Sequence, residues 1–173
     1  MAVMHSPLEG QAIRNTPAIA VGIDGSAASL GALRWAIAEA RGRRCAVDVI
    51  MAWRPYRSPA DTVAEHDEHR AGQDIRHSYH NFLQLCLDEV HARDDVPVLK
   101  HLVEGAAGPA LVKASAGAAL LVVGSRPPSA LGRLSPVSVY CAQHATQPVL
   151  VIIDNSPRSV VPQRIAATLP WAG

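Results

Sequence analysis

Ala18-Ile19-Ala20-Val21-Gly22-Ile23, halted by Asp24-Gly25-Ser26 and followed by Leu30, Leu33, Ile37 and Ala40 at helical spacing, decides the fold. Six unbroken apolar residues with turn chemistry at their end read as a short strand buried on both faces. Asp-Gly-Ser is that turn chemistry. Residues 27–41 then place their apolar positions on one helical face. Gly42 is expected just past the helix end, with Arg41, Arg43 and Arg44 favourable near its negative pole. A buried strand, a tight turn and a one-faced helix are the opening of a β-α-β unit.

The alternation continues outward. Ala46 to Trp53 reads as a second strand. Residues 54 to about 68, with Pro55 and Pro59, read as a polar loop. A long helix is expected over about 69–92, with Ile75, Phe82, Leu83, Leu85, Cys86 and Val90 at its apolar positions. Pro97 to Val103 is a third strand. Ala107 to about Ala116 is a short helix, with Pro109 in the first turn where a missing N–H is harmless. Ala119 to Gly124 is a fourth strand and 125–134 a loop. Pro136 to His144 is a last helix capped by Ser135. Pro148 to Ile153 is a fifth strand. Strands alternating with helices imply an α/β domain: a five-stranded parallel sheet with right-handed crossovers and helices on both faces. That domain spans 17–153. Residues 1–16 read as a loose lead-in. Residues 154–173 form a Pro-rich tail that carries Val160, Val161, Ile165, Leu169 and Trp171, and is read as either docked or disordered.

Composition narrows the function classes. Nearly half the residues are apolar but only 4% are aromatic, so the core is built from Val, Ile, Leu and Ala. The formal charge is +1 and the basic residues form no block, which argues against nucleic acid or an anionic membrane as partner. No apolar run reaches the length of a membrane span, and the first ten residues carry no secretory signal. Cys45, Cys86 and Cys141 are isolated, with no C-x-x-C pair, and read as reduced, buried thiols of a cytoplasmic protein.

Two segments, in this order and spacing, resemble the universal stress protein family. The first is Ile19-Ala20-Val21-Gly22-Ile23-Asp24-Gly25-Ser26, then Ser29-Leu30 and Ala32-Leu33-Arg34-Trp35-Ala36. The second is Leu120-Leu121-Val122-Val123-Gly124-Ser125-Arg126, then Ser138, His144-Ala145 and Pro148-Val149-Leu150-Val151-Ile152. Ala52-Trp53-Arg54-Pro55 and Val103-Glu104-Gly105 fall between them where that family has its second strand end and third loop. The resemblance covers roughly 17–153. It implies the adenine-nucleotide α-hydrolase-like strand order 3-2-1-4-5, with a ligand crevice between strands one and four beyond their carboxyl ends.

The resemblance also implies a site. Asp24 matches the residue that approaches adenine in ATP-binding members, and Ala52 a position lending backbone atoms to the base. Read from the residues alone, Asp24-Gly25-Ser26 is equally a turn and helix cap. ATP-binding members resemble one another in a loop of Gly, two residues, Gly, nine residues, then Gly-Ser or Gly-Thr. Glycines there let the backbone approach phosphate, and N–H groups at a helix start donate to it. Here Gly124 is followed by Ser125, Arg126, Pro127 and Pro128, and the loop reaches Ser135-Pro136 about two residues early. Pro127, Pro128 and Pro136 lack an N–H. Charge-assisted hydrogen bonds are worth roughly 1.5–3 kcal/mol each, so losing two weakens a triphosphate about a hundredfold or more. Val137 and Ser138 keep N–H groups. Ser125, Ser135 and Ser138 keep hydroxyls, and Arg126 and Arg133 supply charge. An adenine nucleotide with fewer phosphates, AMP or cyclic AMP, needs fewer donors.

The expected protein is therefore a regulatory or binding module of the stress-response type rather than an enzyme, with weak or no ATP binding. A nucleotide-binding member with slow or no hydrolysis is the alternative. The resemblance implies a homodimer through the strand at Pro148 to Ile153, an edge whose apolar row invites pairing. A regulatory protein partner is expected without a means of naming it. His66-x-x-His69 and His77-x-x-His80 have spacing that puts each pair on one helical face, but the pattern favours a solvated face or dimer rim over a metal site. No nucleophile-elbow pattern supports hydrolase chemistry.

Overall fold

A computed structural model describes residues 17–54, 68–90, 95–125 and 134–154; over 68–76 it describes the backbone alone. The elements alternate throughout: β1 (Ile19–Gly22), α1 (Ala27–Arg43), β2 (Val47–Trp53), α2 (Glu68–Glu89), β3 (Val98–Glu104), α3 (Ala107–Ala114), β4 (Leu120–Ser125), α4 (Pro136–His144) and β5 (Val149–Ile153). All pairings are parallel, and the sheet order is β3-β2-β1-β4-β5. The lead-in, the loop after Arg54 and the C-terminal tail lie outside the described residues.

Period-two alternation sorts the strand side chains onto two faces. Ile19, Val21, Val47, Val49, Met51 and Val122 pack with Leu30, Leu33 and Ile37 of α1 and with Phe82, Leu83 and Cys86 of α2. Ala20, Ile50, Leu121 and Val123 pack with Leu111 of α3 and Cys141 of α4. The apolar runs are continuous because both faces are covered. Ile19, Val21, Val47 and Val49 are wholly buried. All three cysteines are free and buried.

One boundary differs from expectation. Gly42 lies inside α1, which runs on to Arg43 and ends with Arg44 in the left-handed region at φ 54. The N–H of Arg44 bonds to the carbonyls of Ala40 and Arg41. Arg43 reaches back to Glu39 at 2.6 Å and Arg41 across to Asp95 at 2.5 Å. The last turn is thus closed by the Arg44 N–H bonds, where a glycine would have ended it, and the exposed ion pairs only flank it.

Candidate functional site

The strand order places the site. β1 feeds α1 on one face of the sheet, while β4 feeds α4 on the other. The chain leaves two adjacent strands in opposite directions, and in such sheets a ligand crevice is expected beyond the strands' carboxyl ends. Ile19, Ala20 and Val21 pair with Leu120, Leu121 and Val122, which brings Asp24 and Gly124 to the same end of the sheet.

On the α1 side, Gly25 turns the chain at φ 79. Asp24 is exposed, and its Oδ1 accepts from the Ser26 N–H at 2.9 Å and from the Ser26 hydroxyl at 2.6 Å. Ser26 caps α1: its Oγ accepts from the Ser29 N–H at 3.2 Å. The Ser29 hydroxyl donates to the Ser26 carbonyl at 3.0 Å, and the Asp24 N–H reaches the Ser29 Oγ at 3.4 Å. The turn role read for Asp24 is therefore real, and its carboxylate stays exposed. Ala52, half-buried, sits one residue before the end of β2. Its neighbour Trp53 meets the buried Tyr79 of α2 at 5.9 Å between ring centroids. Beneath them, burial pushes the Cys86 thiol up to about 12, with the Asp24 carboxylate and then Glu89 adding to the effect.

On the α4 side the same device recurs. Ser135 caps α4, accepting from the Ser138 N–H at 3.2 Å. The Ser135 N–H donates to the Ser125 Oγ at 2.8 Å. Ser138 is fully buried, and its hydroxyl donates to the Gly124 carbonyl at 3.2 Å. The Ser135 and Ser138 hydroxyls are 2.8 Å apart; because the Ser138 proton goes to Gly124, the Ser135 hydroxyl is the donor between them. The Val139 N–H goes to the Ser135 carbonyl at 3.0 Å, and Pro136 has no N–H. Val137 N–H takes no part in these contacts.

Gly124 has a packing reason of its own. A Cβ there would stand 2.5 Å from the Ser29 backbone nitrogen and against the Ala28 carbonyl group. The first turn of α1 presses directly on β4, so only glycine fits.

A family model described as the universal stress protein family matches residues 16–152. The chain belongs to the universal stress protein family. A universal stress protein of Mycolicibacterium smegmatis is 32% identical over 145 residues, covering 78% of this chain and 47% of that protein. The chain thus spans about half the length of that relative. A solved universal stress protein in complex with cAMP superposes at a TM-score of 0.55, with 23% identity, over 79% of this chain and 95% of that one. A universal stress protein family protein from Arabidopsis thaliana with AMP bound gives 0.53, with 20% identity, over 87% and 98%. These likenesses establish the fold.

Of the expected site residues in this universal stress protein, Asp24 and Gly25 lie at the start of α1, and Gly124, Ser125, Ser135, Val137 and Ser138 lie at the junction of β4 with α4. Ala52 lies on the next strand over from β1. Arg126, Pro127, Pro128 and Arg133 lie outside the described residues. Sequence reasoning missed the paired role of Ser26 and Ser29. The signal was present: Ser-x-x-Ser occurs at 26–29 and again at 135–138, once at each helix start that borders the crevice.

Proposed function

We propose that this universal stress protein is a non-catalytic binding and regulatory module of the stress response. It acts in the cytoplasm as a homodimer, and its crevice holds ATP weakly or not at all. The observation that carries this reading is the serine network at the start of α4. A phosphate bound there needs the N–H groups of the first turn. Ser138 N–H is taken by Ser135, Val139 N–H by the Ser135 carbonyl, and Pro136 has none to offer, which leaves Val137 N–H as the donor of the first turn outside the network. A triphosphate would have to displace the chain's own cap.

A second reading is favoured by Asp24 and by the relatives. Asp24 offers an exposed carboxylate to an adenine amino group or ribose hydroxyl. Two related structures hold cAMP and AMP, and such ligands ask less of the α4 side than ATP does. On this reading the crevice takes an adenine nucleotide with one phosphate and hydrolysis is slow or absent.

Calorimetric titration with ATP, AMP and cyclic AMP, with and without magnesium, separates the two. The first reading expects no ATP binding in the micromolar range, and micromolar ATP affinity would end it. The second expects AMP or cyclic AMP to bind more tightly than ATP.

What supports the dimer is the sheet edge. β5 is the last strand of the order, with Val149 to Ile152 half-exposed and Ile153 49% exposed. The opposite edge, β3, carries exposed Lys100 and Glu104, and charge protects an edge from pairing. Light scattering on Leu150→Pro should show the mass halved; an unchanged mass would exclude β5 as the interface.

A further inference from the structure

We propose that His77 and His80 of α2 form a two-histidine site for a borderline divalent transition ion, taking Cu2+ in preference to Ni2+ or Zn2+. As sequence alone, this His-x-x-His pair favours a solvated face or dimer rim over a metal site. The fold adds that both residues lie well inside α2, which runs unbroken from Glu68 to Glu89, and that both side chains are exposed. The opposite face of the helix is anchored: Tyr79, Phe82, Leu83, Cys86 and Leu87 are buried. The pair is therefore displayed on a fixed frame.

Residues three apart on a helix are neighbours, with Cβ atoms about 5–6 Å apart. Two imidazole nitrogens at about 2.0–2.1 Å from one ion lie about 3 Å apart. Rotation of two exposed side chains closes that difference without moving the backbone. Of the other histidines whose side chains are described, His101 bonds Asp48 at 3.1 Å, and His144 bonds the Tyr140 carbonyl at 2.9 Å with its ring stacked on Tyr140. Among the described residues no side-chain hydrogen bond engages the His77 or His80 ring. Gln84, one turn beyond His80, is held by Lys100 at 2.6 Å and by Asp88 at 2.9 Å, so it does not compete for either ring.

Among the described residues no group of three His, Cys, Asp or Glu could hold a metal. The helix thus supplies two ligands, and the remaining positions stay with water. Imidazole suits Cu, Ni and Zn, and affinity for divalent ions at a given nitrogen site peaks at Cu2+.

The test is calorimetry of the full chain without an affinity tag, titrated with CuCl2 and separately with NiCl2 in a non-coordinating buffer. One ion per chain is expected, with Cu2+ tighter than Ni2+. His77→Ala and His80→Ala should each weaken Cu2+ at least tenfold, while His101→Ala and His144→Ala leave it unchanged. Both α2 rings are exposed, so the variants should keep the wild-type unfolding midpoint in the absence of metal. If the double variant His77→Ala/His80→Ala holds Cu2+ as tightly as the wild type, or if either single variant does, the chelate does not exist. A wild-type chain that takes up no Cu2+ would overturn it equally.

Discussion

The two helix starts that border the crevice are built from the same parts and turned to different ends. At α1, Ser26 caps and Ser29 stands at the third helical position. At α4, Ser135 and Ser138 do the same, and the capping bond is 3.2 Å in both. Around α1 the network ends on an exposed carboxylate, Asp24, which can accept from a ligand. Around α4 it ends inside the protein, on the Gly124 carbonyl and the Ser125 hydroxyl. The first start presents an acceptor outward; the second turns the Ser135 N–H and the Ser138 hydroxyl onto its own strand and the Ser138 N–H onto its own cap. A helix N-terminus is an anion site only where its N–H groups are left for the anion.

The largest test of this contrast concerns the contact that joins the two halves. Gly124→Ala forces a methyl against the Ala28–Ser29 peptide, and should destabilise the fold by about 3 kcal/mol in urea unfolding. Gly25→Ala, at a φ of 79, should cost about 1–2 kcal/mol. Equal costs would mean that α1 yields at the strand and that the two halves are not locked together.

Next come the caps. Ser135→Ala and Ser26→Ala each remove a capping oxygen, worth about 1 kcal/mol. Ser135→Ala should cost more, because it also strips a partner from the buried Ser138 hydroxyl. Thermal unfolding of both variants checks the order. In binding, the reverse holds. Ser135→Gly/Pro136→Ser returns an N–H to α4 and frees another, so ATP affinity should rise about tenfold, the equivalent of 1.4 kcal/mol. No gain would mean that the serine cap is not what limits the phosphate side.

The smallest effect links the α1 side to the core. Cys86 is raised from its ordinary 9.0 to about 12, by burial first and then by Asp24. Below about pH 9 the thiol is protonated folded and unfolded, and contributes nothing to pH dependence. Between about 9 and 12 the unfolded chain releases the proton while the folded chain keeps it, so stability falls across that window. Asp24→Asn removes the second of the three causes and should make the fall slightly shallower, measured by urea midpoints from pH 8 to 11.

Much of this was legible in the chain itself. The unbroken apolar runs at 19–22 and 120–123 and the helical period at Leu30, Leu33 and Ile37 dictate strands buried on both faces and helices that cover them. Strand order was not legible from periodicity; it came from the resemblance, because nothing local says that β4 crosses back to pair with β1. The end of α1 was misplaced at Gly42, since Arg44 takes the left-handed turn without being glycine and is held by carbonyl bonds that composition does not reveal. At the site, Asp24, Gly124, Ser135 and Ser138 could be picked out as residues. Their wiring could not. Gly124 carries the backbone of α1, a reason visible only once α1 is laid across β4. That the Ser138 hydroxyl turns inward depends on a carbonyl fourteen residues away.

The contrast between the two starts is tested most directly by following backbone amides in a 15N–1H NMR titration with ATP at millimolar concentration. The account predicts that shifts, where they occur, gather at Asp24 to Ser29 and at Ala52 and Trp53, while Val137, Ser138 and Val139 stay in place. Shifts at Val137 to Val139 as large as those at Asp24 would show phosphate seated on α4, and would contradict it.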